Sequence, residues 1–333
     1  MGSWPIYRGE LEPHDGIADL PDPPRWRTFE GSGESLDVPP ERIDPTAARR
    51  LGDGEHWRKP STDEIRMVNA ALFLRRPLLV TGKPGTGKST LPYQVARELK
   101  LGPVLRWPIT SRSTLREGLY DYDPIGRLRD EHLRQARGRP ASDDTEIGRH
   151  LRLGPLGTAL LPYKRPRVLL IDEIDKSDID LPNDLLNVFE EGQFLIDELA
   201  RLSTGKKIEV PTADGGSPVA IRRGRVACEA FPFVVLTSNN EREFPKPLLR
   251  RCLRLDLKVP SAAQIADMVA AHIGPAEAEK SKRRIEQFRD KLERGDVATD
   301  QLLNAVFVAT SAGDFDGLDD LIAKLLSPLS GAG

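Results

Sequence analysis

Leu78-Leu79-Val80-Thr81-Gly82-Lys83-Pro84-Gly85-Thr86-Gly87-Lys88-Ser89-Thr90 is the stretch that decides how this chain is read. From Gly82 onward it satisfies G-x-x-x-x-G-K-[ST], the pattern of a phosphate-binding loop. Gly82, Gly85 and Gly87 open backbone conformations closed to other residues, so successive N–H groups can turn toward one polyphosphate. Lys83, Pro84, Thr86 and Thr90 complete the cradle. Lys88 then reaches the terminal phosphates, and the Ser89 hydroxyl is a ligand for Mg²⁺. An apolar run (Leu78 to Val80) precedes the loop, and Leu91, Val95 and Leu99 continue it at helical spacing, which sets phosphate at a helix N-terminus. Pro92 falls in the first turn, where its missing N–H costs little. The expected ligand is a nucleotide with its magnesium. The loop reads phosphates and does not distinguish ATP from GTP.

A second stretch supplies carboxylates. Val168-Leu169-Leu170-Ile171 predicts a strand buried on both faces, as a parallel sheet requires. Asp172 and Glu173 follow at its C-terminal end, where ligands bind in open α/β sheets. Asp172 would hold Mg²⁺ at one remove, and Glu173 would act as general base toward the attacking water. Phe231 to Leu236 is another continuous apolar strand, ending in Thr237-Ser238-Asn239-Asn240, where an amide is placed to position a water.

Working outward, Ser61-Thr62-Asp63-Glu64 carries helix-start chemistry for a helix from Ile65 to Phe73. Val104 to Trp107 reads as a strand, and Gly126 to His150 as a charged, solvated insertion. Ile208-Glu209-Val210 and Val219-Ala220-Ile221, on either side of Asp214-Gly215, predict a hairpin. Leu253, Leu255, Leu257 and Val259 alternate as a last strand. Beyond Pro260 the pattern is helical only: Ile265 to Ile273, Ala276 to Leu292, Gln301 to Ala309 and Leu318 to Leu326. The expected organisation is a Pro/Gly-rich N-terminal arm over 1–60, an α/β core over 61–260 and a helical domain over 261–333. The arm reads as a partly ordered tail. The alternative is that its aromatics, Trp4, Tyr7, Trp26, Phe29 and Trp57, anchor it to the core or to a neighbouring subunit.

Charged residues make up 30% of the 333 positions, yet the formal net charge is only −2, which argues against bulk attraction to nucleic acid or membrane. Cys228 and Cys252 lack metal-like spacing, and a reduced, cytoplasmic setting is the natural expectation. No apolar run has membrane-spanning length. Pro5, Pro13 and acidic residues stand where a signal peptide would need an apolar core.

Taken in order, these motifs resemble an AAA+ ATPase of the MoxR group, over about Ser61 to Ala309. The likeness is carried by Arg76 to Thr90, Leu169 to Asp175, Leu185 to Gln193 and Phe233 to Arg251, and by Gly154-Pro155-Leu156. It implies a P-loop NTPase core, a parallel sheet flanked by helices, followed by an all-helical lid, with ATP and Mg²⁺ as cofactors of hydrolysis. By the same resemblance Lys88 and Ser89 are the Walker A pair, and Asp172 and Glu173 are Walker B. Asn239 is sensor 1, with Asn240 its rival by one position. Arg251, with Arg250 as alternate, lies where the family places an arginine finger that acts on the adjacent subunit's ATP. That implies a homo-oligomeric ring, usually a hexamer. The family is associated with chaperone-like remodelling or activation of a protein substrate, alongside a partner carrying a von Willebrand A domain. One departure stands out: Gln301, after Thr299-Asp300, occupies the place of the family's second sensor arginine. An amide can hydrogen-bond a γ-phosphate but cannot offset its charge. Two other readings therefore stay open, a nucleotide-dependent signalling scaffold with little turnover and the NTPase motor of a nucleic-acid restriction or defence system. The near-neutral charge weighs against the second.

Overall fold

The computed structural model describes residues 4–40, 45–51, 57–138, 144–202, 205–281, 285, 288, 299–311 and 318–327. In chain order the strands among them are β1 (Leu78–Gly82), β2 (Leu105–Pro108), β3 (Tyr120–Tyr122), β4 (Leu151–Leu153), β5 (Val168–Asp172) and β6 (Gln193–Leu195). They continue with β7 (Lys207–Val210), β8 (Val219–Arg222), β9 (Arg225–Ala227), β10 (Phe233–Ser238) and β11 (Leu253–Leu257). Five of these form one wholly parallel sheet in the order β11-β1-β10-β5-β2. The others pair as antiparallel ribbons, including the expected hairpin β7–β8, in which Ile208 faces Ile221.

The apolar runs explain why these strands are central. On one face Leu79, Leu169, Ile171, Val234 and Leu236 enter one core cluster. On the other, Leu78, Val80, Leu170 and Val235 enter a second. Burying such a side chain is worth ~1.5–3 kcal/mol, so a strand apolar on both faces is stable only with helices above and below it. Helix Thr62–Leu74 covers the second face and opens with the expected capping box: Glu64 N–H donates to Ser61 Oγ, and Ser61 N–H donates to the Glu64 carboxylate.

Residues 6–17 are packed against the core rather than forming a tail, as the alternative reading had it for Tyr7. Asn69, on helix Thr62–Leu74, accepts hydrogen bonds from Ile6 N–H at 2.7 Å and Tyr7 N–H at 3.0 Å, and returns one to Tyr7 O at 2.8 Å. Glu98, the fully buried last residue of helix Leu91–Glu98, accepts the backbone N–H groups of Arg8, Gly9, Glu10 and Leu11 in succession. Ile6, Tyr7, Leu11 and Ile17 are thereby sealed into the core beneath the phosphate-loop helix. Of the aromatics, Tyr7 is fully buried, whereas Trp26 stays 81% exposed.

The charged insertion is solvated as expected and also helical: Pro124–Ala136 is a helix with no buried residue, N-capped by Asp123. Residues 139–143, the middle of that expectation, lie outside the described residues. After β11 the chain is helical only, with Ala262–His272, Pro275–Lys280, Thr299–Ser311 and Leu318–Leu325. Ile265, Val269, Leu302 and Val306 give these helices a cluster of their own, consistent with a helical lid. The helix expected from Ala276 to Leu292 begins here, but most of its length past Ser281 lies outside the described residues. Among the described residues no helix is long and apolar enough to cross a membrane.

Candidate functional site: a glycine cradle beside an acidic strand tip

Gly82 closes β1 with φ +146°, and a Cβ there would stand 2.6 Å from Leu257 O on the neighbouring β11. Only glycine lets the two strands close up while the chain leaves the sheet. Gly85 and Gly87 also take positive φ, at +76° and +92°. Thr86 Oγ1 donates to Lys83 O at 2.9 Å, and Thr90 N–H to Gly87 O at 3.1 Å, so the loop is pinned at both shoulders. Lys88 is buried and its Nζ lies on the loop's own carbonyls, 2.7 Å from Gly82 O and 2.8 Å from Lys83 O. Burial lowers the Lys88 pKa, and the carboxylates of Asp175, Asp172, Glu173 and Glu241 act against that.

Asp172 ends β5 beside the loop, buried, with its two oxygens used differently. Oδ1 accepts from Ser89 Oγ at 2.6 Å and Thr237 Oγ1 at 2.9 Å. Oδ2 accepts from Arg106 Nη2 at 2.8 Å and Nε at 3.1 Å, with Arg50 Nη2 at 3.6 Å. Burial alone would raise the Asp172 pKa; the hydrogen bonds from Ser89, Arg106 and Thr237 and the Arg106 charge outweigh it and hold the carboxyl below its ordinary value. A hydroxyl and a carboxylate 2.6 Å apart are hard oxygen donors, the set that suits Mg²⁺ when phosphates complete the shell.

Glu173 follows in the left-handed region, φ +63°, a conformation that costs a non-glycine residue ~1–3 kcal/mol. Its N–H donates to Thr237 Oγ1 at 2.9 Å, so one threonine on β10 fixes both acidic residues. The Glu173 carboxylate is half-exposed and pairs with Lys176 Nζ at 2.7 Å. Asn239 is kept at the same edge because its N–H donates to Asp175 Oδ2 at 2.9 Å, while its side-chain amide donates to Glu241 at 3.2 Å. Asn240 is exposed with φ +60°, a turn conformation asparagine tolerates.

The two arginines lie elsewhere. They end helix Lys246–Arg251, immediately before β11, whose first residue Leu253 pairs with Leu78 at the start of β1. Four strand steps of about 3.3 Å separate that edge from Gly82. Neither Arg250 nor Arg251 meets its own chain's loop. Arg251 Nε instead donates to Glu190 Oε1 at 2.7 Å, and Arg250 is exposed. Gln301 donates through Nε2 to Leu325 O at 3.1 Å and Ser327 O at 3.2 Å, which caps the last described helix.

A family model described as AAA domain (dynein-related subfamily) matches residues 77–252, more than half of the 333-residue chain. The chain belongs to this family. The matched span opens at Pro77 before β1 and closes at Cys252 before β11, so it takes in the loop, Asp172, Glu173, β10 and both arginines. No curated protein matches the sequence. An AAA domain is a nucleotide-binding fold of the hydrolase class.

Three residues of this AAA domain escaped the sequence reading. Thr237 was legible only as part of a polar strand end. Asp175, which also accepts Glu241 N–H at 3.3 Å, lay in the acidic motif without a role. Arg106 entered only as part of the expected strand from Val104 to Trp107, and its place beside Leu170, two residues before Asp172, follows from the sheet register rather than from the sequence.

Proposed function

We propose that this AAA domain carries out Mg²⁺-dependent ATP hydrolysis as a ring-forming ATPase of MoxR type. The observation that carries the reading is the 2.6 Å hydrogen bond from Ser89 to Asp172, with Lys88 buried in the same loop. Backbone N–H groups from Gly82 to Ser89 and the Lys88 ammonium would hold the β- and γ-phosphates. Ser89 and Asp172 would hold the metal, which when bound neutralises charge on the phosphate oxygens. Glu173, set on its strained residue at the strand tip, would take a proton from the attacking water, with Asn239 at the neighbouring strand end to orient it.

The placement of Arg250 and Arg251 at the far edge of the sheet supports a role on another subunit's nucleotide, and hence a ring, with a hexamer as the family's usual number. The work done would be remodelling or activation of a protein substrate together with a von Willebrand A domain partner, the β7–β8 hairpin being directed toward pore or partner. A cytoplasmic location fits two unpaired, buried cysteines. The test is steady-state turnover of Glu173→Gln against wild type. A fall on the order of 10²–10⁴-fold with nucleotide binding retained is expected; unchanged turnover removes Glu173 as base.

One observation favours a second reading, a nucleotide-dependent scaffold with little turnover. Gln301 spends its amide on helix-end carbonyls, so the position where the family carries its second sensor is engaged within the lid. Nucleotide retained through gel filtration at background turnover supports that reading, and steady turnover ends it.

A further inference from the structure

Asp172 divides its two oxygens between two kinds of partner. Oδ1 is fixed by hydroxyls, Ser89 at 2.6 Å and Thr237 at 2.9 Å, both on elements that the sheet and loop hold in place. Oδ2 is held by guanidinium groups alone: Arg106 by two N–H donors at 2.8 and 3.1 Å, and Arg50 at 3.6 Å. The Arg106 side chain is 40% open to solvent, whereas the Asp172 side chain is 6% open. The carboxylate is therefore enclosed and the arginine is the partner open to solvent. Arg106 sits on β2, the edge strand, with Leu105 and Trp107 on its two sides packed into the opposite face. Among the described residues Asp172 is the hydrogen-bonding partner of its guanidinium.

A divalent ion and the two N–H donors of Arg106 compete for Oδ2. A guanidinium lying along that oxygen takes the lone pairs that a divalent ion or its bound water would use, and adds like charge beside it. Asp175, Glu173 and Glu241 also act on Lys88 across the cradle, so Asp172 is not the site's sole negative charge. The arginine neutralises the one carboxylate among them that stands closest to the Ser89 hydroxyl.

We propose that Arg106 is a positioning residue that occupies Oδ2, the Asp172 oxygen that the Ser89 and Thr237 hydroxyls leave to a metal or its bound water, until a metal–nucleotide complex displaces it, so that the site takes its divalent ion together with the nucleotide rather than alone. The proposal rests on the reading of Asp172 and Ser89 as metal-binding residues. On displacement Arg106 turns outward to the solvent it already meets, and Oδ1 stays on its hydroxyls, so the exchange needs no movement of the sheet. Arg50, 3.6 Å from the same oxygen and over the Tyr93 ring at 5.4 Å, adds a second positive charge without the hydrogen bonds that make Arg106 specific.

The test compares wild type with Arg106→Met, which keeps an unbranched stem and removes the charge, in MgCl₂ titrations of a fluorescent ATP analogue. Arg106→Lys, which keeps charge but loses the fork, is the second variant and stands in if the first fails to fold. The expected result is a Mg²⁺ midpoint lower by roughly tenfold in Arg106→Met, as a charge-assisted hydrogen bond no longer competes, with Arg106→Lys between the two. Affinity for the analogue in EDTA stays unchanged. An unchanged midpoint overturns the proposal. Loss of affinity with and without metal also overturns it, and would make Arg106 a direct phosphate ligand. A wild type that binds no analogue under either condition sinks the nucleotide reading itself and the proposal with it. A wild type that binds analogue well, and a variant with no shift, sinks the proposal alone.

Discussion

Asp172 and Glu190 stand near opposite ends of the same parallel sheet, and each carboxylate is met by two arginines. For Asp172 these are Arg106 and Arg50; for Glu190 they are Arg251 at 2.7 Å and Arg27 at 3.4 Å. The pairing chemistry is the same and the surroundings are not. The Asp172 side chain is 6% exposed and also takes two hydroxyl hydrogen bonds, whereas the Glu190 side chain is 44% exposed and takes none. Depth, hydroxyl donors and the Arg106 pair leave one carboxylate enclosed with a depressed pKa. Their absence leaves the other a solvated tether for the edge arginine. An ion pair marks a site only through what else the carboxylate is bound to.

The largest effect in this comparison is expected from Asp172→Asn. With its oxygen toward Arg106 the new amide would donate to the Ser89 and Thr237 hydroxyls, which then lose Asp172 Oδ1 as the acceptor of their own protons, and the Arg106 pair loses its charge assistance. Because Arg106 can turn to water, the stability cost falls below the ~3–5 kcal/mol of a fully enclosed broken pair. A loss of about 1–3 kcal/mol is expected, read as a lower denaturant midpoint at unchanged slope. Magnesium-dependent nucleotide binding should fall with it.

The next effect is a pH dependence. The folded Asp172 carboxyl titrates below its ordinary 3.8, so its contribution is fully present above that value and is lost as pH falls through the folded one. Glu64, which burial would raise but the buried Arg58 pair lowers, acts in the same direction. Denaturant midpoints measured downward from neutral pH should therefore drop most steeply below about pH 4, and the gap between wild type and Asp172→Asn should narrow there. A gap that widens on acidification would mean that Asp172 is not ionised in the folded protein.

How much of this was legible in the sequence depends on how local the cause is. The loop, the apolar strand before Asp172, the capping box at Ser61 and the β7–β8 hairpin are each specified by neighbours within a few residues, and each formed where expected. The burial of residues 6–17 is different. It is specified by Asn69 and Glu98, which accept backbone N–H groups 62 to 90 positions away, and a Pro/Gly-rich segment carries no mark of such partners. Arg106 was hidden for a similar reason. One arginine within an expected strand reads only as part of that strand until the register places it against Asp172. Likewise Arg251 could be placed by motif, while Glu190, its actual partner, sits 61 positions earlier on a helix end.

The smallest effect, and the one that tests the contrast most directly, is expected from Glu190→Gln. Arg27 does not need Glu190, because it donates to Arg75 O at 2.6 Å and lies over the rings of Phe29 and Phe231 at 5.1 and 4.6 Å. The Arg251 side chain is 41% exposed, so its freed guanidinium returns to water without an orphaned buried charge. An exposed pair of this kind contributes ~0–1 kcal/mol, and added salt should erase the difference between variant and wild type. The Asp172→Asn deficit should survive the same salt, since that carboxylate is shielded from solvent ions. If Glu190→Gln costs as much as Asp172→Asn, or if both deficits vanish together in salt, then burial is not what separates the two ends of the sheet. The acidic tip of β5 would then be another surface pair, and Ser89 and Thr237 would have no part in making it a site.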